Sequence, residues 1–158
     1  MKKTVILIGL IFMLGWLSNS AYSIDFEEPS SIFTTKDLIS PQDWVNANQI
    51  FVYQDYIVIK VSGANLVSYA DTNSMDPLLD SGANGLEIIP QSEEHLQIGD
   101  IITYEADWNS NLVVHRIIFI GEDDEGWYCI TKGDNSRFTD PGKIRFDKIK
   151  YILIGVIY

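Results

Sequence analysis

The sequence predicts a mainly β domain, a barrel or sandwich, and three observations carry that prediction. From residue 50 onward, short runs rich in Val, Ile, Tyr and Phe recur to the C-terminus. Clusters of Gly, Asn, Asp, Ser and Pro part these runs at regular intervals, which gives about eight to ten strands. The 158 residues, 46% of them apolar and 21% charged, suit one domain that buries its own core.

The first element is a targeting segment. Met1-Lys-Lys3 precedes an apolar run from Thr4 to Leu17, and Ala21 and Ser23 have the small-x-small spacing of a cleavage site. That run spans about 21 Å as a helix, short of the roughly 30 Å hydrocarbon core, so residues 1–23 are expected to be a cleaved signal peptide in preference to a membrane anchor. In either case the lysines stay cytoplasmic and the remainder is extracytoplasmic, membrane-anchored or secreted. Residues 24–49 read as a tether, with Ser40 as cap and Pro41 at the first position of a short helix to about Asn46.

Residues 50–158 form the β domain. Ile50–Tyr53 and Tyr56–Val61 flank Gln54-Asp55 at hairpin spacing, and Leu66–Tyr69 follows a Gly63-Ala-Asn65 break. Leu86–Ile89 is stopped by Pro90, Ile101–Glu105 opens after Gly99-Asp100, and Leu112–Ile120 is a long strand. Gly121 to Gly126 is an acidic tip, expected to be a solvated turn. Trp127–Thr131, Ile144–Phe146 and Tyr151–Ile157 complete the strands.

Charge narrows the function classes. Beyond residue 23 the chain has nine basic and twenty-two acidic residues, a net −13. Phosphate contact needs clustered Lys and Arg, so no nucleic acid partner is expected. One cysteine, Cys129, excludes an intrachain disulfide and reads as a buried strand thiol. With two distant histidines and that cysteine, no zinc spacing is present, and neither metal nor cofactor is expected. His95, between acidic residues and Gln97, reads as solvated.

Three segments carry reactive groups. Asp71 to Leu79 sets Ser74 on a turn of small polar residues and Pro77, directly after a strand. Serine needs a base, and His115 stands in an otherwise apolar strand where an unpaired imidazole is costly to bury. Asp134 and Asp140 lie in the polar loop beyond Thr131, and either one can orient an imidazole or simply cap a turn.

Asn73-Ser-Met-Asp-Pro77, Gly99-Asp-Ile-Ile102, Val114-His-Arg-Ile117 and Thr131-Lys-Gly-Asp-Asn135 resemble, in that order, the sequence boxes of type I signal peptidases. The resemblance covers roughly residues 66–158. It is to the archaeal and endoplasmic-reticulum branch, in which a histidine stands where bacterial enzymes carry lysine. It implies Ser74 as nucleophile, His115 as general base, Asp140 orienting the imidazole and Asp134 supporting the site. It also implies a mainly β catalytic core and cleavage of exported precursors after small residues. The extended polypeptide substrate would lie along an edge strand, with the Ser74 backbone N–H as one oxyanion donor, flanked by Asn73 and Met75. Asn73 stands where the family carries glycine, Ser136 where it carries a second asparagine, and the Asp80–Gly85 turn lacks the usual Gly-Asp.

Two functional expectations follow. One is a serine endopeptidase of the signal-peptidase type, held to the membrane through the N-terminal segment if that segment is uncleaved. The other is a non-catalytic exported β domain that keeps the peptidase scaffold for binding. The distance from Ser74 to His115, and of His115 to an aspartate, separates them.

Overall fold

The computed structural model describes residues 38–158. The expected targeting segment at residues 1–23, and the tether up to residue 37, lie outside the described residues. No helix among the described residues is long and apolar enough to cross a membrane.

The described chain is mainly β, in two sheets. Strands β1 (Ile50–Val52) and β2 (Ile57–Ile59) form a separate antiparallel hairpin, with Tyr53 and Tyr56 stacked 4.6 Å apart beside its Gln54-Asp55 turn. The other six strands are β3 (Asn65–Ser68), β4 (Asn84–Ile88), β5 (Ile101–Glu105), β6 (Leu112–Asp123), β7 (Gly126–Lys132) and β8 (Ile149–Ile157). They form one sheet in the order β3-β4-β8-β5-β6-β7. Among the described residues the ladder does not close, so β3 and β7 are its edges there, and the mainly β chain expected as a barrel or sandwich is a six-stranded sheet plus a hairpin. Register shifts at Leu86/Glu87, Thr103/Tyr104 and Ile117/Phe119 interrupt the ladders, and such bulges bend a sheet and re-aim its side chains.

Alternation along the central strands divides the core in two. Ile102, Tyr104, Val113, Ile117, Cys129 and Ile152 join one apolar cluster. Their chain neighbours Ile101, Val114 and Leu153 join a second, with Met75 and Leu79. Strand β5 is therefore covered on both faces, and Ile101 to Tyr104 are all buried. Cys129 is fully buried, as expected, and burial pushes its thiol up to about 12.

Residues 41–46 are not helical, although Ser40-Pro41 is a sound helix start. The chain runs irregularly there and turns only in a 3-10 segment, Ala47–Gln49. A tertiary partner competes for the groups that a helix would use. The Asp100 carboxylate, fully buried, accepts from Gln42 N (3.1 Å) and Trp44 Nε1 (3.2 Å) on one oxygen. Its other oxygen takes Gln42 Nε2 (2.8 Å) and Gln97 N (3.0 Å). This stretch is thus fastened to the β domain, not loosely tethered. Gly99 completes the join: its φ of +106° suits glycine alone, and a Cβ there would lie 2.3 Å from the Ser40 carbonyl. Replacing Asp100 with alanine strands four donors and is expected to cost about 3 kcal/mol, read as a lowered urea midpoint at unchanged slope.

The acidic tip is a turn with Glu122, Asp124 and Glu125 exposed, as expected, and Asp123 beside it pairs with Lys143 and with both arms of Arg145 (2.9 and 3.0 Å). One smaller expectation is corrected. The expected strand at Ile144–Phe146 is a single bridge, Cys129 to Ile144, after which Phe146–Lys148 coils into a 3-10 turn.

Candidate active site

Ser74 lies on the loop joining β3 to β4. Leu78 and Leu79 both donate their N–H to the Met75 carbonyl at 3.0 Å, and Met75 and Leu79 are buried. Anchoring Met75 in the core leaves the preceding serine half-buried at the lip of a cleft. Asn73 takes φ +56°, the left-handed conformation that glycine adopts freely and asparagine tolerates better than most residues. The asparagine therefore holds the turn that a glycine would make.

The Thr131–Asn135 segment braces this loop through its backbone. Asn135 N donates to the Ser74 carbonyl at 3.0 Å, and Asn135 Nδ2 to the Asn73 carbonyl at 2.9 Å. Asp134 N–H points to Met75 Sδ at 3.4 Å. Gly133 permits the approach, since a Cβ there would lie 2.5 Å from the Ser74 carbonyl and 3.0 Å from His115 Nε2.

His115 projects from β6 between Asp140 and Ser74. Its Nε2 is 3.0 Å from Ser74 Oγ, and its Nδ1 is 2.6 Å from Asp140 Oδ2. A carboxylate only accepts, so the proton belongs on Nδ1, leaving the Nε2 lone pair to accept from the serine hydroxyl. The His115 and Asp140 side chains are 9% and 8% exposed, which keeps water from competing for this bond. Burial by itself raises the Asp140 carboxyl. The His115 imidazole and the Thr131 and Tyr104 hydroxyls oppose that and hold it below its ordinary value.

Asp134 is elsewhere. Its two oxygens meet Arg116 Nε (2.7 Å) and Nη2 (2.6 Å) as a bidentate pair, with both side chains under 8% exposed. Arg116 is the residue after His115 and so faces the other way from β6. Its Nη1 also donates to the Ile39 and Gly99 carbonyls (3.1 and 2.8 Å). Asp134 thereby ties the loop that braces Ser74 to the N-terminal stretch, while His115 bonds Asp140 instead.

Sequence reasoning missed three residues. Tyr104 donates its hydroxyl to Asp140 Oδ2 at 2.9 Å and accepts from Thr131 Oγ1 at 3.0 Å. Burial, with the Asp140 charge adding to it, pushes the Tyr104 hydroxyl upward, so it stays a donor. A tyrosine in a β-branched strand is the signal, because a buried phenol needs a partner. Thr72 Oγ1 lies 3.3 Å from Ser74 Oγ. His95 is exposed, as expected. Among the described residues no group of three or more His, Cys, Asp or Glu is arranged to hold a metal ion.

No family model matches the chain, and no solved structure matches it. Over 69 residues the chain is 32% identical to the signal peptidase complex catalytic subunit SEC11 of Candida tropicalis. The chain resembles a type I signal peptidase. The matched stretch is 44% of this chain and spans 40% of the relative's length. The signal-peptidase likeness and the mainly β fold agree with each other. They also give the Ser74, His115 and Asp140 constellation a reaction to be weighed against.

Proposed function

We propose that this chain is a serine endopeptidase of the signal-peptidase type, acting outside the cytoplasm on exported or membrane-anchored precursors. One observation carries the reading: a single imidazole lies within hydrogen-bond reach of a serine hydroxyl on one nitrogen and a carboxylate on the other. A domain that had kept only the scaffold for binding has no need of that bridge, so the enzyme is favoured over the binding module.

In the proposed reaction Ser74 Oγ attacks the scissile carbonyl while His115 Nε2 takes its proton. Asp140 holds the imidazole in the right tautomer and stabilises the imidazolium that forms. Among the described residues no acceptor takes the Ser74 backbone N–H, which leaves it free to receive the oxyanion. The Thr72 hydroxyl, close to the attacking oxygen, is the second donor in this scheme. His115 then passes its proton to the departing amine, and water hydrolyses the acyl-enzyme by the same route. The substrate lies extended along β3, an edge strand that runs up to the cleft where Val67 to Ala70 are lining residues.

A fluorophosphonate probe tests this directly. Full-length protein should gain one phosphonyl adduct, mapped by mass spectrometry to the peptide carrying Ser74, and the Ser74→Ala protein should gain none. An unlabelled serine in folded protein would count against the enzyme.

A further inference from the structure

The cleft lined by Ser74 and His115 has a volume of about 500 Å³, and its lining also includes a buried carboxylate. Its lining includes the apolar Val67, Leu79 and Val114, with Tyr151, and the buried Thr103 and Glu87. Glu87 is only 1% exposed, on an inner strand between β3 and β8. The register shift between Leu86 and Glu87 falls just where its side chain leaves the strand.

The partners of Glu87 are lopsided. Thr103 Oγ1 (2.7 Å) and the Tyr69 hydroxyl (3.0 Å) both donate to Oε1. Tyr69 reaches it by lying over Gly85, where any side chain would collide with the phenol. Among the described residues no donor reaches Oε2, and no Lys or Arg forms an ion pair with the group. A buried carboxylate is costly unless a cation compensates it, and anchoring two hydroxyls requires no charge. Two neutral donors on one oxygen leave the other able to receive a third group from the cleft.

We propose that Glu87 makes this cleft a subsite for a lysine or arginine side chain of an extended peptide. The aliphatic stem packs along the apolar walls and the cationic end reaches Oε2. The −11 net charge of the chain favours the approach of such a peptide. With a small residue at the scissile bond, as the proposed cleavage requires, the cationic residue is assigned to a position upstream of that bond. That placement rests on the peptidase reading; the binding of the cation does not.

The experiment uses full-length Ser74→Ala protein and fluorescein-labelled peptides with alanine at the scissile position. Each of the three upstream positions carries lysine, norleucine or glutamate in turn, and affinity is read by fluorescence anisotropy. At one position lysine should bind about tenfold more tightly than norleucine, its uncharged analogue, with glutamate weaker than both. Glu87→Gln in the same background should bring lysine and norleucine together. Equal binding of the two at every position overturns the proposal, as does a lysine preference that survives Glu87→Gln. If Glu87→Gln melts below the assay temperature, Thr103→Val replaces it. That variant keeps the carboxylate and should keep the lysine preference, and its loss there overturns the proposal. Fluorophosphonate labelling reads the peptidase separately. Labelling without a lysine preference sinks the subsite alone, and a lysine preference without labelling leaves the subsite standing.

Discussion

Ser74→Ala should lower kcat for a fluorogenic precursor peptide on the order of 10⁶-fold while leaving the melting temperature unchanged. The kinetic loss is large because in the proposed reaction the hydroxyl forms the acyl bond, and no neighbouring group substitutes for it. Thr72 Oγ1 is near but has no imidazole contact, since His115 Nε2 meets Ser74 Oγ. The structural loss is small because, among the described residues, the hydroxyl bonds only His115 and Thr72 at the lip of the cleft. The loop is held by Met75, Leu79 and the Asn135 bonds to backbone carbonyls, and alanine keeps all of them. Steady-state cleavage and calorimetry on the same preparation check both halves. Undiminished cleavage by the variant would remove Ser74 from the chemistry.

Asp140→Asn and Asp134→Asn should fail in opposite ways. An amide at position 140 can turn its NH₂ toward Nδ1 and drive the imidazole proton to Nε2, facing Ser74. Turnover is expected to fall on the order of 10⁴-fold with the fold retained. An amide at position 134 breaks the bidentate pair and leaves Arg116 buried without its counter-charge. Stability should fall by about 3–5 kcal/mol, measured by denaturant unfolding, with activity per folded molecule much less affected. The reverse pattern would transfer the orienting role to Asp134. The Asp140 variant also has a signature in pH. In the folded protein this carboxyl sits below its unfolded value, so its ionised form contributes stability fully above the unfolded value. That contribution is lost as pH falls through the lowered one. Asp140→Asn should remove this component from the acid limb of the stability profile, while the Asp123 pairs, also held low, keep theirs.

Most of the strands were legible because a strand is written locally. Alternating β-branched residues between turn clusters place β3 to β8 within a few residues. The closure of the sheet was not legible, because the edges β3 and β7 are defined by partners that they lack. Residues 41–46 carry a good helix start, yet the outcome was decided by Asp100, some 58 residues away, which binds Gln42 and Trp44. The Gly121–Gly126 tip has the composition of a solvated turn, and only the fold brings Lys143 and Arg145 to it.

The site divides along the same line. By itself the sequence determined that the chain resembles a signal peptidase, that Ser74 and His115 were the groups to watch, and that two aspartates competed for the imidazole. Those are statements about residue type and order, which short motifs carry. Only the tertiary structure decided that Asp140 meets His115 while Asp134 meets Arg116, because adjacent residues of β6 face opposite sides of the sheet. Tyr104 announces only that a buried phenol needs some partner, and Glu87 sits in its strand with nothing local to mark it, so neither names Asp140 nor the cleft. Their roles are fixed by partners across the sheet, and a hydrogen bond between distant residues leaves no period in the chain.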